Sequence, residues 1–220
     1  MKEPFDIDEV FRRLRPAVAG LPKAAMFDLR DRGFDSPFEQ LVGSLISART
    51  RDETTLAVCL RLFERARTPR ALAGLDQATL AGLLRGATFP EPKARDLIEL
   101  ARRIVEQHGG EVPDTIQGLT AFRGVGPKIA ALTLAVGFGQ AAIAVDIHVH
   151  RIANRWGYVE APTPERTLAE LAAKLPELYW VEINERLVPF GKSVCTGVRP
   201  KCSTCPLLSI CRQVGVTSSR

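Results

Sequence analysis

The chain has 220 residues, 45% hydrophobic and 25% charged, with a formal net charge of +5. That suits one large domain or two small ones with a real core, and mild basicity permits a polyanionic partner without demanding one. No apolar run approaches the roughly 18 residues of a membrane span. The start, MKEPFDIDEV, is neither a secretory signal nor a transit peptide, so the cytoplasm is the expected compartment.

Helical patterning runs nearly throughout, and the expected fold class is all-α. Residues 38–48 follow Ser36-Pro37, a good N-cap and first-turn pair. Residues 53–66 place Leu56, Leu60 and Phe63 on one face. Cys59, inside that apolar helix, reads as a small core residue. Residues 76–85 and 93–107 follow the same pattern, with Pro90 and Pro92 marking a sharp loop between them. His108, ahead of Gly109-Gly110, reads as a helix end. A short helix over 113–122 is opened by Pro113, and residues 127–137 are apolar nearly all round, as in a central buried helix. AAIAV, 141–145, is strand-like but too short and isolated for a sheet. Helices over 164–175 and 179–189 complete the pattern.

Between two of these helices lies FRGVGPKIA, residues 122–130. A helix, a Gly124-Val125-Gly126 turn and a second helix make a helix–hairpin–helix. Glycine opens dihedrals closed to other residues, and the turn's N–H groups with the helix start form a site for phosphate. A plain helix–helix corner explains the turn equally well, and Lys128 tips the balance towards a bound backbone. Asp146 follows in AVDIHVHR and suits the N-cap of the next helix. The helix from 128 to 137 is roughly 15 Å long. The following residues span roughly 25–30 Å when extended, so the chain is able to return Asp146 to Lys128. Asp146, His148 and His150 invite a metal reading, which helical spacing disfavours, because i and i+2 do not share a helix face.

Four of the five cysteines crowd near the end as Cys195, Cys202, Cys205 and Cys211. Sulfur ligation of this kind means zinc or an iron–sulfur cluster. One short knuckle with longer arms favours the larger 4Fe–4S cubane, with zinc the alternative. The arm TGVRPK projects Arg199 and Lys201 where phosphates would be gripped, or simply into solvent.

Taken together, FRGVGPKIA, AVDIHVHR, LISARTRD and the four-cysteine loop resemble the endonuclease III family of DNA base-excision glycosylases, within the helix–hairpin–helix superfamily. The match runs from about Ser36 to Arg212. The resemblance implies two lobes. Residues 30–140 form a helical barrel with the hairpin, and residues 1–29 and 141–220 form the lobe holding a 4Fe–4S cluster of structural role. DNA with damaged bases or abasic sites lies across the cleft. Gly124, Val125 and Gly126 hold its backbone, and Lys128, made neutral by burial near other cations, attacks the sugar of a flipped nucleotide. Asp146 stabilises the cationic sugar or deprotonates Lys128. Oxidised pyrimidines are the implied substrates, released with β-elimination by a monomeric enzyme acting at the nucleoid.

Arg49 stands where the family usually has the glutamine that fills the gap left by the flipped nucleotide. The wedge position falls at Phe89, which a packed loop aromatic explains nearly as well, and His150 stands where an aromatic residue is common. Two alternatives compete. A monofunctional adenine glycosylase usually lacks the hairpin lysine, and a non-catalytic iron–sulfur DNA-binding protein has no need of Lys128 with Asp146.

Overall fold

Side-chain caps set most of the helix starts. The structure, a computed structural model, describes residues 2–220. The described residues form twelve α-helices and no named strand. Ala25–Ala142 is one compact unit; the chain before it and from Ile143 onward is the other.

The second-named unit opens with α1 (Ile7–Val18), capped by Asp6, whose carboxylate accepts from the Asp8 and Glu9 amides. It continues with α10 (Ile147–Trp156), α11 (Pro164–Lys174) and α12 (Trp180–Ser193). Val10, Phe11 and Leu14 pack with Val149, Ile152, Trp156, Ile183, Leu187 and Phe190 in one apolar core. Phe11 stacks on Tyr179 at 3.9 Å between ring centres. The AAIAV segment pairs in no sheet; the Ala144 carbonyl instead accepts from the buried Asn184 amide at 3.0 Å. That bond satisfies a backbone group that burial would otherwise orphan.

Ala25–Ala142 carries α2 (Ala25–Asp31), α3 (Pro37–Ser47), α4 (Asp52–Phe63), α5 (Pro69–Ala73), α6 (Gln77–Leu83), α7 (Pro90–Gln107), α8 (Ile116–Thr120) and α9 (Pro127–Leu132). The Ser36-Pro37 start is confirmed as a reciprocal capping box with Glu39. α3 is its central element, with Phe38, Leu41, Val42 and Ile46 all buried.

Several sequence expectations shift. On α4 the buried face is Thr55, Val58, Cys59, Leu62 and Phe63, with Leu56 and Leu60 at its edge. Pro90 and Pro92 are not a loop but the first turn of α7, where a missing N–H costs nothing. α8 starts not at Pro113 but after Thr115, whose hydroxyl accepts from the Gly118 amide at 3.1 Å. The 127–137 helix is α only through Leu132 and then widens into a π turn, Thr133–Gly137. Two contacts explain that. The Thr133 hydroxyl donates to the Ile129 carbonyl at 2.9 Å, which competes with the regular ladder. Gly137 lies so close to α3 that a Cβ there would sit 2.8 Å from Pro37 Cα. The burial expected for this stretch begins at Ala130; Pro127 and Lys128 are exposed.

Candidate functional site

The Gly124–Lys128 turn joins α8 to α9. Gly124 has φ +80°, a conformation unfavourable to any residue with a Cβ. Gly126 has an ordinary extended backbone, and a Cβ there would meet nothing within 4 Å. Its bare surface leaves the approach to the turn open. Val125 is buried and donates its amide to the Phe122 carbonyl at 3.2 Å, so it braces the turn from inside. Among the described residues, the Gly124, Gly126 and Lys128 amides donate to no protein acceptor. Three such donors at a helix start suit an anion. Lys128 is exposed rather than buried near other cations. The buried side of α9 begins at Ala130, so a residue on the first turn faces water.

Asp146 is half-buried and caps α10. Its Oδ1 accepts from the His148 amide at 2.9 Å and the Val149 amide at 2.8 Å. One carboxylate oxygen is therefore committed to orientation, and the other keeps its charge available. His148 Nδ1 lies 3.1 Å from Arg151 Nη2, and His150 Nδ1 pairs with the Thr167 hydroxyl at 2.7 Å. Both ring nitrogens therefore have side-chain partners. His108 follows the last residue of α7 and packs its ring on Phe122. Cys59 is fully buried and pushed up to about 12 by that burial, an inert core thiol.

Cys195, Cys202, Cys205 and Cys211 are free thiols that line one small, largely apolar pocket. No three metal-binding side chains among the described residues converge on a single-ion position. Burial first, and then the nearby Cys195, Cys211 and Cys202, push the Cys205 thiol up. Four thiols lining one space are a sulfur donor set of the kind that binds zinc or an iron–sulfur cluster. Burial pushes Cys205 up to about 11, so a cation must displace its proton for it to ligate at neutral pH.

Two arginines one turn apart on α10 hold this loop, and their role was not read from the sequence. Arg151 donates to the Cys195 carbonyl at 2.9 Å. Arg155 donates to the Thr196 and Gly197 carbonyls at 2.6 and 2.8 Å and to Cys195 Sγ at 3.4 Å. The sequence offered little signal for this, because the two arginines lie 44 and 40 positions before Cys195. Beyond this clamp the loop exposes Arg199, in a left-handed conformation, and Lys201.

Arg49 and Phe89 both lie in Ala25–Ala142, and both are exposed, Phe89 by 56%. Both also have positive φ, at 61° and 55°.

An all-helical fold with an open glycine hairpin, an exposed lysine, a capping aspartate and a four-sulfur cavity defines a helix–hairpin–helix protein. The family model described as "HhH-GPD superfamily base excision DNA repair protein" matches residues 42–177, and the chain belongs to that superfamily. Endonuclease III of Thermotoga maritima (strain ATCC 43589 / DSM 3109 / JCM 10099 / NBRC 100826 / MSB8) is 42% identical over 80% of this chain and 82% of its own length. Endonuclease III homolog 2, chloroplastic, of Arabidopsis thaliana is 36% identical over 92% of this chain, which spans 56% of that longer relative. The solved structure of a trapped endonuclease III–DNA covalent intermediate, an estranged-adenine complex, matches with a TM-score of 0.80 at 28% identity. The match covers 95% of this chain and 97% of that one. No helix among the described residues is long and apolar enough to cross a membrane.

Proposed function

We propose that the chain is a bifunctional DNA glycosylase and abasic-site lyase of base-excision repair, acting on oxidised pyrimidines in duplex DNA. The observation that carries this reading is Lys128, an exposed primary amine beside three unpaired backbone donors at the start of α9. A phosphate bound to those donors brings a sugar within reach of an amine that no described residue restrains.

Once its ammonium has passed a proton to a general base, the Lys128 amine attacks C1′ of the flipped nucleotide. The C1′–N bond breaks, the base leaves with the bonding pair, and the amine gives up a proton. Ring opening leaves an imine between Nζ and C1′. Removal of a C2′ proton then expels the 3′ phosphate by β-elimination. The Asp146 carboxylate, oriented by the α10 amides, stabilises the cationic sugar or accepts a proton from the Lys128 ammonium. Gly124 and Gly126 admit the DNA backbone, and Arg199 and Lys201 supply further cations for phosphates.

The donor set fits a 4Fe–4S cluster held by Cys195, Cys202, Cys205 and Cys211. When bound, it supplies a cross-link between the end of α12 and the C-terminal loop. Iron and sulfide analysis tests this: about four of each per chain is expected, and one zinc with no absorbance near about 400 nm contradicts it. On this reading residues 25–142 are the helical lobe and the remainder the cluster lobe. We place the protein at the nucleoid as a monomer.

Borohydride trapping on a duplex with one abasic site tests the function. Wild type is expected to give a covalent adduct and Lys128→Ala none. An adduct with both removes Lys128 from the mechanism, and an adduct with neither, despite binding, removes the lyase.

A further inference from the structure

Arg49 and Phe89 sit on different connections, 40 positions apart in sequence, yet one residue holds both. Lys93, on the first turns of α7, is partly buried. Its Nζ donates to the Ile46 carbonyl at 2.5 Å, the Ala48 carbonyl at 2.9 Å and the Thr50 hydroxyl at 3.1 Å. Ile46 and Ala48 carbonyls belong to the end of α3, where a helix has no amides left to satisfy them. Ala48 and Thr50 are the two neighbours of Arg49, so the ammonium brackets that residue on both sides. The Lys93 backbone amide makes the first regular bond of α7, to the Phe89 carbonyl at 3.1 Å, so the Lys93 side chain ties the Phe89 end of that helix to the Arg49 turn.

A second tie runs parallel. The hydroxyls of Thr50 and Thr88 share a hydrogen bond at 2.7 Å, and the Thr88 amide donates to the Thr50 hydroxyl at 3.1 Å. Thr50 directly follows Arg49 and Thr88 directly precedes Phe89. The Thr50 hydroxyl is thereby saturated, accepting from Lys93 and the Thr88 amide and sharing its remaining bond with Thr88.

We infer that Lys93 is a positioning residue that locks Arg49 and Phe89 into one rigid two-pronged element, which enters the DNA stack at the damaged position. The inference rests on the proposed glycosylase reading and deepens it. Two residues with Cβ atoms stay left-handed only where their surroundings over-determine them, and the Lys93–Thr50–Thr88 network is that restraint. Both prongs remain exposed although one is a large aromatic, so the restraint serves display rather than burial. An unrestrained pair would have to be ordered on binding, which costs affinity. At neutral pH the amine stays charged, although burial pushes it down to about 8, and its three protons match its three acceptors.

The test uses a duplex with a stable abasic-site analogue opposite 2-aminopurine, whose fluorescence rises when the base is unstacked. Wild type is expected to raise the fluorescence and to prefer this duplex over an undamaged one. Lys93→Met keeps the stem but donates nothing. It should lose about tenfold of the preference and most of the fluorescence rise, with affinity for undamaged duplex unchanged. Lys93→Arg, which keeps charged donors, should restore part of both. Thr88→Val breaks the parallel tie without touching the buried position and should lose about threefold; it serves if Lys93→Met does not fold. In an Arg49→Ala/Phe89→Ala background, Lys93→Met should add no further loss.

Full fluorescence with Lys93→Met, or an equal loss in the double-alanine background, would reduce Lys93 to a helix cap and overturn the inference. If instead Arg49→Ala/Phe89→Ala binds the abasic duplex as wild type does, the insertion of those two residues is refuted, and the inference falls with its premise.

Discussion

Lys128 and Lys93 occupy matching places, each on the first turns of a helix that opens with proline, and the protein treats them in opposite ways. Lys93 is partly buried and gives all three ammonium protons to fixed acceptors. Lys128 is exposed, and even the backbone amides around it are left without partners. A saturated ammonium orders its neighbours, whereas an unrestrained amine is available to a substrate. Residue type alone says neither; the acceptors nearby decide which lysine is scaffold and which is reagent.

The largest expected effect lies in exchanging the charge type. Lys128→Arg should abolish the trapped adduct, because a guanidinium stays protonated and offers no nucleophilic lone pair. Measurable trapping by that variant would break the contrast. Next comes Asp146→Asn. Asparagine caps as well as aspartate, so thermal unfolding should change by about 0.5 kcal/mol or less. Single-turnover cleavage should fall roughly 10²–10³-fold because the charge is gone. A rate close to wild type would leave Asp146 a cap and nothing more. The smallest effect separates the two glycines of the hairpin. Gly124→Ala forces a Cβ into φ +80° and should cost about 1–2 kcal/mol of stability. Gly126→Ala has room and ordinary backbone, so stability should hold while affinity for abasic duplex drops. Equal effects at the two positions would mean that Gly126 is not kept bare for an approaching backbone.

Features written in neighbouring residues were legible in the sequence. Ser36-Pro37-x-Glu39 makes its own capping box, Asp146 caps the helix it precedes, and the hairpin and four-cysteine spacing are local patterns. Features that depend on distant partners were not. The first turn of α7 looked like a proline loop because its start is set by a left-handed Phe89, which Lys93 and Thr88 restrain. The π turn after α9 depends on Gly137 meeting Pro37, 100 positions earlier in the chain. Nothing in the sequence singles out Lys93, because its side-chain acceptors lie 43 to 47 residues away. Where burial begins along 127–137 was not legible, because an apolar pattern says which stretch is buried and not which residue is the first one covered.

The most direct test of the central claim is to map the reduced abasic-site adduct by peptide mass spectrometry. The account predicts the sugar remnant on Lys128 alone, with Lys93 unmodified. A remnant on Lys93, or on any amine other than Lys128, would contradict it.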